Sequence, residues 1–228
     1  MRDEQLVETM RQLSKSLTPR ALDDTLRSIT AAAVELLPEV EYASITVLHE
    51  DERLETVAPT DAVLLPVDAA QYELREGPCY QAAVDTVHVI SPDLATDQRF
   101  PRYADVAVAA GIRAQAGLLL FDAPKANGAL NLYSRDVGAF EDFSALAALF
   151  AHHSATAIEY AREIHNLEEA LRTRTTIGQA IGIVMERYKL PEHRAFAFLT
   201  RLSQTSNTKL RRVSEEIVTQ VERQSNQL

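Results

Sequence analysis

Five cations, Arg174, Arg201, Lys209, Arg211 and Arg212, stand in the last quarter of a 228-residue chain, interleaved with the amides and hydroxyls of Gln179, Ser203, Gln204 and Asn207. Arginine and lysine meet phosphates, arginine also stacks on unpaired bases, and amide and hydroxyl side chains read base edges. Gly182 leaves a flat spot on a helix, where a partner helix or a nucleotide can approach. Together these residue types are chemically suited to contacts with nucleic acid. Each also has a plainer reading. Gly182 serves helix packing equally well. Asn207 reads first as an N-cap and second as a base contact. The adjacent Arg211 and Arg212 diverge by about 100° on a helix, so one of the two faces the ligand.

The charge distribution points the same way. Leu171 to Leu228 holds ten Lys and Arg against five Asp and Glu; the preceding residues hold 13 against 28, within an overall net charge of −10. An acidic body with a basic tail module suggests two jobs on one chain.

Other chemistries lack their residues. Cys79 is the one cysteine, which excludes an internal disulfide framework and a clustered-cysteine zinc site. Without a basic neighbour in sequence it reads as a buried structural thiol rather than a redox switch. The six histidines show no ligand spacing, and neither a phosphate-binding glycine loop nor a nucleophile elbow is present. No enzyme, metal site or cofactor is expected. No apolar run approaches the roughly 18 residues of a membrane helix. The polar, acidic stretch from Met1 to Met10 does not resemble a secretory signal. The expected location is the cytoplasm, without membrane contact.

The elements that must position these residues follow from periodicity. Leu6, Met10, Leu13 and Leu17 predict a short amphipathic helix closed at Thr18-Pro19. Leu22, Leu26, Ile29, Ala33 and Leu36 predict a second helix, ended by Pro38. Tyr42 to His49 alternates and is rich in β-branched residues, as a strand is, and Arg53 to Val57 returns from a turn. Residues 58–78 read as irregular, with Pro59, Pro66 and Gly77-Pro78 as breakers. Cys79 to Val84 reads as a short helix, Val87 to Ile90 as a strand, and Tyr103 to Ala110 as a helix stopped by Gly111. Gln115 to Phe121 is an apolar strand, Pro124 to Gly128 a hairpin loop, and Ala129 to Ser134 the return strand. The body is therefore α+β, an antiparallel sheet expected to be covered on one face.

Beyond Phe143 the pattern turns helical. Leu146, Phe150, His153, Ala157, Tyr160, Ile164, Leu167, Leu171 and Arg174 keep a 4, 3 spacing, the mark of a coiled coil. A parallel homodimer joined by this rod is expected, with a long helix packed on its own domain as the alternative. Ile177, Ile181, Val184, Met185 and Tyr188 then share a helical face. Pro191 falls in the first turn of the next helix, whose stripe is Ala195, Phe196, Leu199 and Leu202. Leu210, Val213, Ile217, Val218 and Val221 make a third helix. Such a bundle of about 55 residues is near the lower limit of self-sufficient stability.

The run Arg174-Thr-Thr-Ile-Gly-Gln-Ala-Ile-Gly-Ile-Val-Met-Glu-Arg-Tyr188, with Ala195-Phe196, Leu202-Ser-Gln204, Asn207-Thr-Lys-Leu210 and Val213, closely resembles the ANTAR domain over residues 171–222. That resemblance implies a three-helix module that binds RNA hairpins with short loops in nascent leader transcripts and thereby prevents termination. Arg174, Gln179, Gly182, Arg201, Ser203, Gln204, Asn207, Lys209, Arg211 and Arg212 are then the expected RNA contacts. The chain departs from the family's usual pattern at Ile181, where a lysine is usual, and at Lys189-Leu190-Pro191, where Gly-Leu-Ser is usual.

The body resembles a GAF domain over roughly residues 20–162. Glu76-Gly-Pro-Cys-Tyr80, Pro92-Asp-Leu94, Arg99-Phe-Pro101, Gly111 and Gly128-Ala-Leu-Asn-Leu-Tyr-Ser134 carry the likeness. It implies a sensor or dimerisation domain of the kind found ahead of ANTAR modules in actinobacterial regulators. A chamber for an unidentified small-molecule ligand would be walled near Cys79, Asp93, Phe100, Tyr103, Gln115 and Asn131. GAF-type sulfoxide reductases use several cysteines, which a lone Cys79 does not provide.

The expected order is thus an N-terminal helix (1–19), a GAF sensor (20–145), a coiled-coil linker helix (146–173), a three-helix ANTAR bundle (174–222) and a tail (223–228). A signal-responsive antiterminator is the leading reading, with RNA as partner and no DNA expected. A DNA-binding regulator whose basic last helix enters a major groove, and a scaffold without RNA binding, stand as alternatives.

Overall fold

The computed structural model describes residues 11–12, 21–37, 39–123, 126–140 and 144–225. The expected first helix lies outside them except at Arg11 and Gln12, which are helical. The chain divides into two compact units, residues 1–162 and 163–228.

In the first unit, helix α1 (Leu22–Leu36) opens with Asp23 and Asp24 against the positive end of its dipole and buries Leu26, Ile29 and Ala33. Strands β1 (Tyr42–His49) and β2 (Leu54–Val57) follow, then α2 (Leu64–Leu74), α3 (Pro78–Asp85), β3 (Val89–Ser91) and α4 (Pro101–Ala109). Strands β4 (Ala114–Ala123) and β5 (Ala126–Ser134) complete the sheet. Its order is β2-β1-β5-β4-β3, and each neighbouring pair is antiparallel.

Three expectations are corrected here. Residues 58–78, read as irregular, contain α2. Pro66 is its third residue, a first-turn position where the missing N–H has no intrahelical partner to lose. The return strand of the last hairpin starts at Ala126, so Asn127 and Gly128 pair with Asp122 and Phe121 rather than forming loop. Lastly, the sheet is covered on both faces. Ala43, Ile45, Ala116, Leu118, Leu130 and Leu132 pack on one side with α1 and the start of the long helix α5 (Ser144–Tyr188). The alternate residues face α2, α3 and α4. Gly117 permits that second layer: a Cβ there would lie 2.5 Å from the carbonyl oxygen of Pro78, so α3 rests directly on β4.

Helix α5 is 45 residues long and runs through Gly178 and Gly182, so the rod and the first helix of the final module are one element. In its first part, among the described residues, the buried face follows the expected heptad stripe only at Phe150 and partly at Ala157. Phe150, Ala151, Ser154, Ile158 and Ala161 are buried in the first unit, whereas His153 is exposed. The alternative reading of a helix packed on its own domain therefore holds for this stretch. Farther on, Tyr160, Leu167 and Leu171 are 60%, 56% and 65% exposed, with Ile164 on the same stripe.

In the second unit, α5 ends at Lys189, which adopts a left-handed conformation (φ 53°). Helices α6 (Glu192–Ser206) and α7 (Leu210–Ser225) follow. Pro191 is the N-cap of α6, one position before the first-turn place expected for it. Ala180, Val184, Ala195, Leu199 and Val213 form the small core, flanked by Ile181, Met185, Leu190, Leu210, Ile217 and Val218. Phe196 and Leu202, expected in the apolar stripe, are exposed.

Candidate nucleic-acid interface and buried polar core

The ten residues expected to meet RNA fall into separate places on the bundle. Asn207, Lys209, Arg211 and Arg212 line a concavity of about 660 Å³ at the start of α7, together with Thr208, Glu215 and Glu216. Arg201 and Gln204 lie on the outer side of α6, in a hollow of about 670 Å³ shared with Leu190, Arg194, Phe196, Ala197, Phe198 and Thr200. Gln179 and Gly182 border a groove between α5 and α7 with Ile183, Glu186, Arg187, Val218, Val221 and Glu222. Arg174 is exposed on α5, away from these three hollows.

Four details revise the residue roles. Asn207 closes α6 in the left-handed conformation (φ 49°, ψ 36°) and its N–H returns to the carbonyl of Gln204. It is a C-cap, a position asparagine tolerates because its backbone enters this region at low cost, and not an N-cap of the next helix. Its side chain is thus left at the rim of the concavity. Ser203 donates its hydroxyl to the carbonyl of Thr208 at 2.6 Å, so it holds the α6–α7 turn. Gly182 has no heavy atom within 4 Å of where a Cβ would be, apart from its own helix and immediate neighbours, so helix packing does not require glycine there. Ile181 packs against the bundle core. A lysine at that position would have to snorkel past the core to reach solvent.

Sequence reasoning missed the aromatic component. The rings of Phe198 and Tyr188 pack at a tilt of 39° with centroids 5.5 Å apart and are 40% and 53% exposed, beside the exposed Phe196 and Arg194. Arg194, Phe198 and Arg201 are spaced 4 and 3, hence share one helix face. The available signal was Phe198 itself, an aromatic lying off the Ala195–Leu199 stripe. Exposed rings beside arginines suit unpaired bases, which offer a π-face and a phosphate together.

The body holds a second site of interest. On the sheet face under α2, α3 and α4, the inward side chains are polar and fully buried: Ser44 and Thr46 from β1, Gln115 from β4, Asn131 and Tyr133 from β5. The hydroxyl of Tyr103 donates to Gln115 Oε1 at 2.6 Å, and Gln115 Nε2 reaches Cys79 Sγ at 2.6 Å. Phe100 is buried in the same cluster. Four expected wall residues, Cys79, Tyr103, Gln115 and Asn131, therefore meet on one side of the sheet, with Phe100 beside them. Asp93 is not. Its carboxylate holds a surface turn through the N–H of Ala95 and the hydroxyl of Thr96, with Arg113 at 3.6 Å.

The hub of this interior is Asp68 on α2, in the segment read as irregular. Asp68 accepts from Ser44 at 2.9 Å, Thr56 at 3.1 Å, Gln71 at 3.4 Å and the hydroxyl of Tyr133. Burial raises its pKa to about 6 against the opposing effect of these four donors. Burial likewise pushes the Cys79 thiol upward, so it is not a poised thiolate. Asn131 donates to Ser44 at 2.9 Å and Thr46 at 2.8 Å, while its Oδ1 is buried without a hydrogen-bond partner. Among the described residues no group of three or more His, Cys, Asp or Glu is arranged to hold a metal ion. Nor is any described helix long and apolar enough to cross a membrane.

Comparison with known families matches residues 19–159 to the GAF domain and residues 165–218 to the ANTAR domain. Comparison with curated proteins gives no match. Among solved structures, the GAF domain of a phosphoenolpyruvate-protein phosphotransferase from Coxiella burnetii aligns with a TM-score of 0.54 at 15% identity, covering 72% of this chain and 98% of that one. A free methionine-R-sulfoxide reductase from Neisseria meningitidis aligns at 0.53 and 15%, covering 70% and 91%. An N-acylhomoserine lactone-dependent LuxR-family transcription factor from Burkholderia cenocepacia aligns at 0.55 and 14%, covering 67% and 94%. These likenesses are of fold. The sheet sandwiched between helical layers and the basic three-helix module after it agree with the two family matches: the chain belongs to the GAF domain family over its body and carries a C-terminal ANTAR domain, which makes it a regulator of the ANTAR family.

Proposed function

We propose that this regulator is a signal-responsive transcription antiterminator that binds hairpin RNA as a homodimer. The observation that carries the reading is the set of exposed cations, amides and rings on the bundle: Arg194, Arg201 and Gln204 with Phe196 and Phe198 on the outer side of α6, Tyr188 at the end of α5, and Asn207, Lys209 and Arg212 at the start of α7. Cations at phosphates and rings at unpaired loop bases suit a stem-loop better than a duplex groove, where stacked bases offer no free face. The module's positive charge, set in a chain of net charge −10, favours an anionic partner.

The dimer reading rests on the Tyr160, Ile164, Leu167 and Leu171 stripe, an exposed apolar seam with heptad spacing. Two moderate sites on one rod would gain effective concentration on an RNA with two hairpins. For the body, the Asp68–Tyr133–Asn131 interior is the place for a small polar ligand, which would exchange with these hydrogen bonds and use the unpaired Asn131 Oδ1. Binding and release without bond chemistry, in the cytoplasm, completes the reading. Read-through of a leader terminator by purified polymerase tests it. The chain should raise read-through and Arg201→Ala should abolish the effect. Equal termination with and without the protein would overturn the reading.

A further inference from the structure

Among the described residues, Arg211 is held on two sides by carboxylates. Its Nε lies 2.8 Å from Glu215 Oε1, four residues on along α7, and Nη1 pairs with Glu169 Oε1 on α5, within the same compact unit. All three side chains are 42–51% exposed, so solvent and solutes reach the pair. Pairing lowers the Glu169 carboxyl and raises the Arg211 guanidinium.

The reason for such a clamp lies in α7. Its start carries Lys209, Arg211 and Arg212 and its first turn no acid, which places positive charge at the positive end of the helix dipole. The free chain gains from anions at this end, and Glu215 and Glu169 supply them. RNA would bring phosphates to the same concavity, so carboxylate and phosphate contend for one guanidinium. Glu169 differs from Glu215 in its origin. It sits between Leu167 and Leu171 on the rod, at the heptad position farthest from the apolar seam. A change in α5 at that level withdraws Glu169 and leaves Glu215 in place.

We propose that Glu169 is an internal competitor of the RNA backbone: it occupies the Arg211 guanidinium that would otherwise seat a phosphate, so the rod helix sets how tightly the surface binds. The proposal rests on the RNA reading above. Fluorescence anisotropy of the full-length chain with a labelled RNA carrying two short-looped hairpins tests it at 50 mM and 300 mM salt. Glu169→Gln should bind about two- to fivefold tighter at low salt, the range open to an exposed ion pair, and the gain should shrink at high salt. Glu168→Gln removes the same charge one residue away, from a side chain paired with Arg172, and should gain clearly less. Arg211→Ala should bind more weakly than wild type, and adding Glu169→Gln to it should give no gain. An unchanged Glu169→Gln, or the same gain in Glu168→Gln or on the Arg211→Ala background, would overturn the proposal alone. A wild type that ignores the hairpins overturns the RNA reading and the proposal together.

Discussion

Asp68 makes the stability of the body depend on pH in a direction opposite to most carboxylates. Its pKa is raised from 3.8 to about 6 by burial. A group whose pKa is raised on folding binds its proton more tightly in the folded state, so its contribution is fully present below about pH 4 and is lost as the pH rises through 6. A shift of roughly two units at 1.36 kcal/mol each is about 3 kcal/mol between those limits, or a factor of roughly 150 in the opening equilibrium. Asp97 acts below this window. Arg99 hydrogen-bonds its carboxylate and holds its pKa near 2, so its contribution is lost only as the pH falls from about 4 toward 2. The perturbation is Asp68→Asn, which keeps the shape and removes the titration; the hydroxyls of Ser44 and Thr56 can turn to accept from the new amide. Cys79 is a built-in reporter, as the single cysteine, fully buried beside this network. Its labelling rate with a neutral disulfide reagent, divided by the rate in urea, gives the protection of the body. Between pH 4 and 7 wild-type protection should fall by about two orders of magnitude relative to Asp68→Asn. Parallel profiles for the two proteins would refute the assignment of Asp68 as a buried carboxylate whose proton stabilises the fold.

Gly117→Ala should cost at least 1–3 kcal/mol in urea titration, because its Cβ would meet the Pro78 carbonyl at 2.5 Å and backbone does not yield as a side chain does. Lys189→Gly should raise the bundle's melting temperature, by a gain of about 0.5–1 kcal/mol, since glycine enters φ 53° without the Cβ penalty. Leu167→Glu with Leu171→Glu should give a monomer by sedimentation equilibrium while leaving far-UV helicity nearly intact, because both side chains are more than half exposed.

The strands of the body were legible because β1 alternates and β4 is a plainly apolar run, and the bundle because its apolar spacing and motif residues are dense. The polar sheet face was not. Ser44, Thr46, Gln115 and Asn131 occupy the alternate positions that an antiparallel sheet usually turns to water, and nothing local announces that α2 to α4 cover them. Helix α2 escaped because Pro66 looks the same in a first turn as in a break. On α5 the helical period was right, but the face buried against the body (Phe150, Ala151, Ser154, Ile158, Ala161) lies largely beside the expected stripe, and from Ile164 to Leu171 that stripe stands at the surface. In the bundle, residue type picked out exposed cations and polar side chains, while their individual roles depended on backbone conformation. Asn207 is a C-cap and Ser203 a turn lock. Phe198 was passed over because an aromatic among apolar residues is ordinarily core.

The most direct test of the account is the binding of the full-length chain to a two-hairpin RNA, compared at one salt concentration with the same sequence as duplex DNA and with a scrambled RNA that cannot pair. The account predicts a complex of two chains on one RNA, weakened in Arg201→Ala and Arg212→Ala, with little binding to the other two. Equal affinity for all three nucleic acids, or none for the hairpins, would contradict it.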